Sequence, residues 1–495
     1  MIKFETPAGN KYAWDDDVGL FIPLSPTMSA VLNEISDRQA ICKEHIIARL
    51  ESMFNVEEIL FCYNWINKWK KIKSKNKNLQ IYKNISASSI KHYILKTGLL
   101  QLTLGITEDC NFRCKYCVFS DNYEHSRTYS KKYMNFTTAK KAIDCYFSLL
   151  DTGKRYNPLR KPSFGFYGGE PLLNFKLIKK CVGYIETEYA KYQTRYNLTT
   201  NGSLLDEEKA NWLMDHDFSI SISLDGPENE HNRLRVYRNG SGTFQDVMRN
   251  INYLMSKNYT KVYSLPVFDW KSNLFLLDNF FNKDNIPTIL NISVVNDIQG
   301  CRYYRQFTKE DYSNFLEQLK IAKDNYFSEI YLKKYKNKPS FFDKLIGQTP
   351  GKILFDAISI YPHHAIMPVT GACVPGRKLF VDVDGRFHAC ERINSSFPIG
   401  NVIDGLNYDK ISNLMSEYIK QMDKCQVCNI RRRCRQCYQK FATNTGFSRS
   451  SEVCKGIESI RVAESIEAFT IAERNPEFVD ETDTRYKNIK KYYGD

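Results

Sequence analysis

Leu99-Leu100-Gln101-Leu102-Thr103-Leu104-Gly105-Ile106-Thr107 runs without a break into Glu108-Asp109-Cys110-Asn111-Phe112-Arg113-Cys114-Lys115-Tyr116-Cys117. The first half reads as a strand: a short, mostly apolar run that a polar segment ends. The second half is a loop in which Cys110, Cys114 and Cys117 lie close together. Three thiolates so near one another can hold three irons of a cubane cluster and leave the fourth iron without a protein ligand. An open iron can chelate a small molecule through an amino and a carboxylate group, which a fully ligated structural cluster cannot do. A structural zinc site or a disulfide loop is the alternative reading of such a spacing.

Outward from this stretch, residues 96–300 alternate strand-like and helix-like patterns. Strand-like runs fall at 99–107, 163–167, 196–200, 218–224, 261–268 and 289–295, and helical runs at 137–150, 174–192, 206–215 and 243–255. Thr137 or Thr138 is the expected N-cap of the first helix. Six βα units predict an α/β fold with a parallel sheet and right-handed crossovers, either doubly wound or closed toward a barrel. Residues 1–95 read as a separate small α+β unit. Two strands surround the turn Asp15-Asp16-Asp17, and 27–53 carries Met28, Val31, Leu32, Ile35, Ile46 and Leu50 at helical spacing. Lys68, Lys70, Lys71, Lys73, Lys75 and Lys77 read either as an exposed, charged helix end or as the way into a solvated linker. Residues 301–365 are a polar helical connection, 366–460 are short and cysteine-rich, and 461–495 form a helix with a charged tail.

Composition bounds the class. Fifteen cysteines in 495 residues are an odd number and too dilute for a disulfide scaffold. The start, Met1-Ile2-Lys3-Phe4-Glu5-Thr6-Pro7, lacks the apolar core of a signal peptide, and no apolar run is long enough to span a bilayer. A cytoplasmic, reduced compartment without a membrane partner is expected. The length suggests about three domains. The net charge of +14 admits a nucleic-acid or acidic-peptide partner, but Lys, Asn, Ile and Tyr abound throughout, so compositional bias accounts for it and nucleic acid is disfavoured.

The CX3CX2C loop with an aromatic residue before its third cysteine resembles the signature of radical S-adenosylmethionine (AdoMet) enzymes. The resemblance implies a partial, TIM-like (βα)6 barrel with the cysteine loop after its first strand, a [4Fe–4S] cluster on Cys110, Cys114 and Cys117, and AdoMet on the open iron. It also orders the later motifs. Tyr167-Gly168-Gly169-Glu170-Pro171 resembles the family motif that binds the AdoMet amino group, with Tyr116, Gly168, Gly169 and Glu170 as cofactor contacts. Asn201 ends the third strand. Ser223 and Asp225 end the fourth, and Ser223 matches the family residue that touches the ribose or carboxylate. Arg235 falls at the spacing of a carboxylate contact, for which a guanidinium is suited.

Cys373, Gly385, Cys390, then Cys425-X2-Cys428-X5-Cys434-X2-Cys437 and Cys454 resemble the SPASM extension of sulfatase- and peptide-maturing members of that family. The resemblance covers about 100–460. It departs in one place, where relatives have three residues between the cysteines that here enclose two. Carried over by position, Cys425, Cys428, Cys434 and Cys454 hold one auxiliary [4Fe–4S] cluster. Cys373, Cys390 and Cys437 hold another that lacks a clear fourth ligand; Met367, His363 and His364 lie nearest to that role. The expected total is three clusters. Glu391 stands where sulfatase-maturing relatives carry a base, and Cys42, Cys62, Cys145, Cys181 and Cys301 read as isolated thiols. The implied activity is maturation of a ribosomally made precursor peptide, most plausibly by Cys thioether cross-links of the sactipeptide and ranthipeptide kind. Carbon–carbon cross-linking, formylglycine formation, RNA modification and a non-enzymatic zinc module are the alternatives. A leader-bearing precursor gripped by the N-terminal unit, and an electron donor such as flavodoxin or ferredoxin, are the implied partners.

Overall fold

The computed structural model describes all residues except 37–41, 77–85, 296, 299, 332–339, 359–372, 423–424, 426, 435, 450–453, 455 and 478–495. The chain opens with three antiparallel strands, β1 (Ile2–Glu5), β2 (Lys11–Asp15) and β3 (Leu20–Pro23), in that order in the sheet. Helices α1 (Pro26–Ser36), α2 (Lys43–Leu50), α3 (Val56–Asn76) and α4 (Ala87–Thr97) follow. The lysine-rich segment, up to residue 76, is the end of α3, as the charged-helix-end reading has it. Lysine is a good helix former, and the apolar residues Ile59, Cys62, Ile66 and Trp69 are buried at helical spacing on one face. Lys77 lies outside the described residues. The helically spaced run 27–53 forms two helices, α1 and α2.

Strands β4 (Leu102–Thr107), β5 (Ser163–Gly168), β6 (Arg195–Thr200), β7 (Ser219–Ile222), β8 (Val262–Ser264) and β10 (Thr288–Ile289) pair in parallel and in sequential order. Helices α5 (Phe136–Gly153), α6 (Phe175–Glu188), α7 (Glu207–Asp215), α8 (Glu228–Leu234), α9 (Phe244–Ser256) and α10 (Leu274–Phe281) lie between them. The helix α5 shows why the pattern was readable: Ala139, Ala142, Ile143, Tyr146, Phe147 and Leu150 recur every third or fourth residue and are buried. Its N-cap, however, is Asn135, whose side chain accepts from Thr138 N, so the expected threonine caps sit inside the helix. The last two strand-like runs are each divided. Pro266, which has no N–H to give a ladder, separates β8 from β9 (Val267–Phe268), and β9 pairs with β11 (Ser293–Val294) in a small sheet of its own.

Helices α11 (Lys309–Tyr331) and α12 (Gln348–Ile358) follow. The cysteine-rich region then returns to the main sheet: β12 (Leu379–Val381) pairs in parallel with β4, and β13 (Arg386–His388), β14 (Gly400–Asn401) and β15 (Gly405–Leu406) continue it antiparallel, giving ten strands among the described residues. Helix α13 (Tyr408–Gln421) and a C-terminal helix, Ile457–Arg474, complete the described chain. The main core packs strand residues such as Leu104, Phe164, Leu198 and Ile220 against the helices. A second core lies within the N-terminal unit, around Ala13, Ile22, Val31, Ile46 and Ile66. A third is shared: Phe4, Trp14 and Phe21 pack with Phe327, Ile353, Leu354, Ala468 and Ile471, from α11, α12 and the C-terminal helix. No helix among the described residues is long and apolar enough to cross a membrane.

Candidate functional site

Strand β4 delivers the chain to the cysteine loop. Cys110 and Cys114 are buried there, Cys117 is half-buried, and all three line a cavity of about 310 Å³ together with Gly168, Gly169, Asn201, Ser223 and Arg235. Burial, the charge of Glu170 and the neighbouring Cys117 push the Cys110 thiol up to about 12, and burial pushes Cys114 up further. A protonated thiol is no metal ligand, so metal binding here must release protons and offset the cost of burying thiolates.

The loop is tied to the next strands through its backbone. Gly169 N donates to Thr107 O and Glu170 N to Asp109 O, each at 2.8 Å. A Cβ on Gly168 would lie 2.3 Å from Thr107 O, and one on Gly169 would lie 2.1 Å from Asp109 O. The two glycines thus permit the end of β5 to press against the cysteine loop, as well as facing the cavity. Glu170 is turned inward. It is fully buried, does not line the cavity, and accepts from Leu172 N (3.0 Å), Thr200 Oγ1 (2.6 Å) and Asn201 N (2.7 Å). Its placement makes it a brace between β5 and β6. Asn201 in turn gives its Nδ2 to Asn111 Oδ1 at 2.8 Å and to Cys110 Sγ at 3.9 Å, while Phe112 N lies 3.4 Å from the same sulfur.

Tyr116, Asp225 and Arg235 form one buried group. Tyr116 donates its hydroxyl to Asp225 Oδ2 at 2.8 Å and accepts from Arg235 Nη1 at 2.5 Å, and Arg235 and Asp225 are 4.0 Å apart. Burial raises Asp225 to about 6 against the opposing pull of Arg235 and the Tyr116 hydrogen bond. Asp225 does not line the cavity; Tyr116, Ser223 and Arg235 do. Arg235 Nε has no partner among the described residues, which leaves a buried cationic donor for an anionic ligand. Two further guanidiniums went unforeseen. Arg113 Nη1 donates to Cys110 O at 2.8 Å, and Arg238 Nε to the same oxygen at 2.9 Å, so both hold the loop backbone. Arg113 lay within the motif itself and was the readable one of the two.

Glu391 and Arg392, from the cysteine-rich region, line the same cavity, with Arg392 Nε 3.9 Å from Glu391 Oε1. The later cysteines gather as two sets. Burial and then the nearby Arg449, Cys434, Cys454 and Cys428 set the Cys425 thiol at about 11. Burial, Glu391 and Cys437 act on Cys390, also raised to about 11, while Cys373 and Cys437 both act on Tyr438. His363, His364 and Met367 lie outside the described residues. Among the described residues no three His, Cys, Asp or Glu side chains converge on a single ion; a cubane asks for no such convergence, because each thiolate binds a different iron. The donor set of three thiols from one loop, and a cavity carrying a spare buried guanidinium donor, fit an iron–sulfur cluster with an amino-acid ligand.

Residues 104–269 match the model of the radical SAM superfamily. This part of the chain is similar to a radical SAM domain. An uncharacterized protein of Methanocaldococcus jannaschii is 33% identical over 37% of this chain and 57% of its own length. The cysteine-type anaerobic sulfatase-maturating enzyme of Clostridium novyi is 25% identical over 45% of this chain and 59% of its own. The chain thus spans a little over half the length of these two relatives. The serine-type anaerobic sulfatase-maturating enzyme of Bacteroides thetaiotaomicron is 21% identical over 70% of the chain and 84% of its own. In fold, the chain is similar to the solved structure "Native anSMEcpe with bound AdoMet", with a TM-score of 0.54, 20% identity, and coverage of 77% of this chain and 99% of that one.

Proposed function

We propose that the chain is a radical AdoMet maturase that cross-links a ribosomally made precursor peptide through Cys thioethers. The observation that carries it is the shared cavity: Glu391 and Arg392, beside Cys390 of the second cysteine region, face the same space as Cys110, Cys114 and Cys117. Cys110, Cys114 and Cys117 would hold one [4Fe–4S] cluster, and Gly168, Gly169, Asn201, Ser223 and Arg235 would surround AdoMet. When bound, these cofactors supply a one-electron cleavage that yields methionine and a 5′-deoxyadenosyl radical able to abstract hydrogen. The two later cysteine sets would hold auxiliary clusters.

The chain's own residues do the positioning. Arg235 offers paired N–H groups to a carboxylate and is held by the Tyr116 hydroxyl. Glu170 locks Asn201 beside the cysteine loop. The aromatic walls Phe119, Tyr129 and Tyr167 keep water from the reacting atoms. Glu391 lies on the cavity wall as the acceptor of a substrate proton. The partial-barrel reading, the domain bounds, the leader-binding role of residues 1–95 and an electron donor such as flavodoxin belong to the same proposal. Formylglycine formation is the second reading. It is favoured by the two sulfatase-maturating relatives and by the place of Glu391.

The test is anaerobic reconstitution followed by metal analysis and intact mass. Three cubanes give about twelve irons per chain, and changing Cys110, Cys114 and Cys117 together to Ala should remove about four and abolish 5′-deoxyadenosine formation. With AdoMet, the precursor should lose about two hydrogens per bond and one alkylatable thiol, as thiolate chemistry requires. Stoichiometric zinc with little iron overturns the enzymatic reading. A two-hydrogen loss that survives replacement of every substrate cysteine by serine overturns the thioether.

A further inference from the structure

The turn between β2 and β3 lies against the loop between Cys428 and Cys434, some four hundred residues later. That loop reads Asn429-Ile430-Arg431-Arg432-Arg433. It is wound tightly: Arg433 N donates to Ile430 O at 2.9 Å, and Ile430 is buried. Its three arginines leave the loop for partners elsewhere. Arg431 Nε lies 2.9 Å from Asp16 Oδ2, and its Nη2 lies 3.0 Å from Asp17 Oδ1. Arg432 donates its backbone N to Asp16 Oδ1 at 3.1 Å, its Nε to Asp16 O at 2.6 Å and its Nη2 to Asp17 O at 3.1 Å. Arg433 places its guanidinium over the rings of Trp14 and Phe21, at 5.4 and 5.1 Å, and donates to Ser465 Oγ of the C-terminal helix at 2.6 Å.

The turn that receives them is itself fixed. Trp14 Nε1 donates to Asp16 Oδ1 at 3.1 Å, and Trp69 of α3 donates to Asp15 Oδ2 at 3.0 Å. Gly19, at φ +70°, closes the turn by donating to Asp15 O at 2.8 Å. Asp16 is only 5% exposed. A carboxylate so buried is held by what it binds, and here it binds a backbone N–H and a side chain of the cysteine loop.

We propose that Asp16 is a positioning residue for the second cysteine region: it fixes the backbone between Cys428 and Cys434, so that the N-terminal sheet completes the site of an auxiliary cluster. This rests on the cluster reading of Cys425, Cys428, Cys434 and Cys454 given above. The mechanism is geometric. Two thiolates six positions apart on a loop present one cluster only in a narrow set of loop conformations, and Asp16 selects one by accepting from Arg432 N. Electrostatics alone would act with the opposite sign, since the Asp16 charge disfavours ionisation of Cys428. Removing that charge without moving the loop would ease thiolate formation and strengthen iron binding.

The experiment uses the full chain, reconstituted anaerobically, with iron content and electron paramagnetic resonance as readouts. Asp16→Ala should lose about four of the wild type's twelve or so irons, one cubane's worth, with the AdoMet-responsive signal retained. Asp16→Asn keeps an amide oxygen for Arg432 N and Trp14 Nε1 and should retain all the iron. Arg432→Leu keeps the N–H that Asp16 accepts but removes the Nε and Nη2 bonds to Asp16 O and Asp17 O; it should lose part of the same cubane's iron, and that partial loss stands in if the alanine variant does not fold. Full iron in both Asp16→Ala and Arg432→Leu overturns the proposal, as does equal behaviour of the Ala and Asn variants, or loss of every cluster together with secondary structure in both. A wild-type chain that takes up no iron overturns the cluster reading itself, and this inference with it.

Discussion

Glu170→Gln isolates the brace beneath the cavity. The change keeps the volume and replaces one carboxylate oxygen by an NH2 group. If that group takes the Oε2 position, it faces Asn201 N, a donor that now sits 2.7 Å from its acceptor. If it takes the Oε1 position, it faces Leu172 N, now 3.0 Å away; Thr200 can rotate its hydroxyl to accept, but a backbone N–H cannot. Either way one buried backbone donor loses its acceptor, at about 1–3 kcal/mol, and the surviving bonds lose their charge assistance. The relief is that a neutral amide is easier to bury, since burial already pushes the Glu170 carboxyl above its usual range. The net expectation is about 2–3 kcal/mol of destabilisation. For a unit of 150–250 residues that lowers Tm by roughly 4–12 °C. Thermal unfolding of the metal-free chain by circular dichroism measures this directly, and equilibrium binding of AdoMet to the reconstituted chain should weaken with it. A variant that melts within about 1 °C of the wild type at pH 7 and binds AdoMet equally would refute the reasoning. It would mean that Glu170 is already protonated there and bonds as an amide does.

Arg235→Lys keeps the charge but loses the fork, and should weaken AdoMet binding about 10–100-fold, or roughly 1.4–2.8 kcal/mol, in a direct binding assay. Asp382 gives a pH-dependent test. Burial works to raise it, but hydrogen bonds from His388 and Arg386 N, with the Arg386 charge, hold it down to about 2. His388 is itself pushed down by burial, so near neutrality it donates Nε2–H as a neutral ring and Arg386 supplies the charge. A carboxyl lower in the folded than the unfolded state stabilises the fold above the unfolded value near 4, by about 2–3 kcal/mol, and that stability is lost as pH falls toward 2. Asp382→Asn should therefore cost most at pH 5–7 and progressively less between pH 4 and pH 2 in denaturant titrations.

What was legible in the sequence was local. The parallel strands and α5 announce themselves because a buried face repeats every second or every third-to-fourth residue within one element. The cysteine loop, Ser223 and Arg235 were readable because the site is assembled from strand ends that follow one another along the chain. The features that escaped depend on partners far away. The strand β12 is three residues long and gives no sign that it pairs with β4, nearly three hundred positions earlier. Asn135 displaced the threonines as N-cap because capping is decided by the backbone leaving β4 and its loop, not by residue type alone. Glu170 could be placed in a motif, but whether its carboxylate faces a ligand or three donors of its own chain is a matter of tertiary packing. The lysines of α3 showed charge and hid the buried face beneath it.

The N-terminal unit shows where sequence patterning and three-dimensional dependence part company. Its strands, turn and helices α1–α3 form a self-contained pattern with a core of their own, which is why the segment read as detachable, although α4 packs its Ile90, Ile94 and Leu95 into the main core. Yet Phe4, Trp14 and Phe21 turn their side chains into a core built by α11, α12 and the C-terminal helix, and Thr6 and Tyr12 donate to Glu473 at 2.9 and 2.7 Å. Removing the unit would expose that shared core and take from Arg431 and Arg432, between Cys428 and Cys434, their partners Asp16 and Asp17. A truncation that abolished peptide processing would therefore not by itself assign leader binding to this unit, because the same cut withdraws support from the cysteine loop. Leader binding and cluster support become separable only by point changes. Those at Asp16 and Arg432 perturb the contact with the cysteine loop and leave the outer strand edges of the sheet as they are. Substitutions along those outer edges would do the reverse. A precursor that still binds the Asp16→Ala chain, with an auxiliary cluster missing, separates recognition from cluster support; one whose binding falls with the cluster ties the two together.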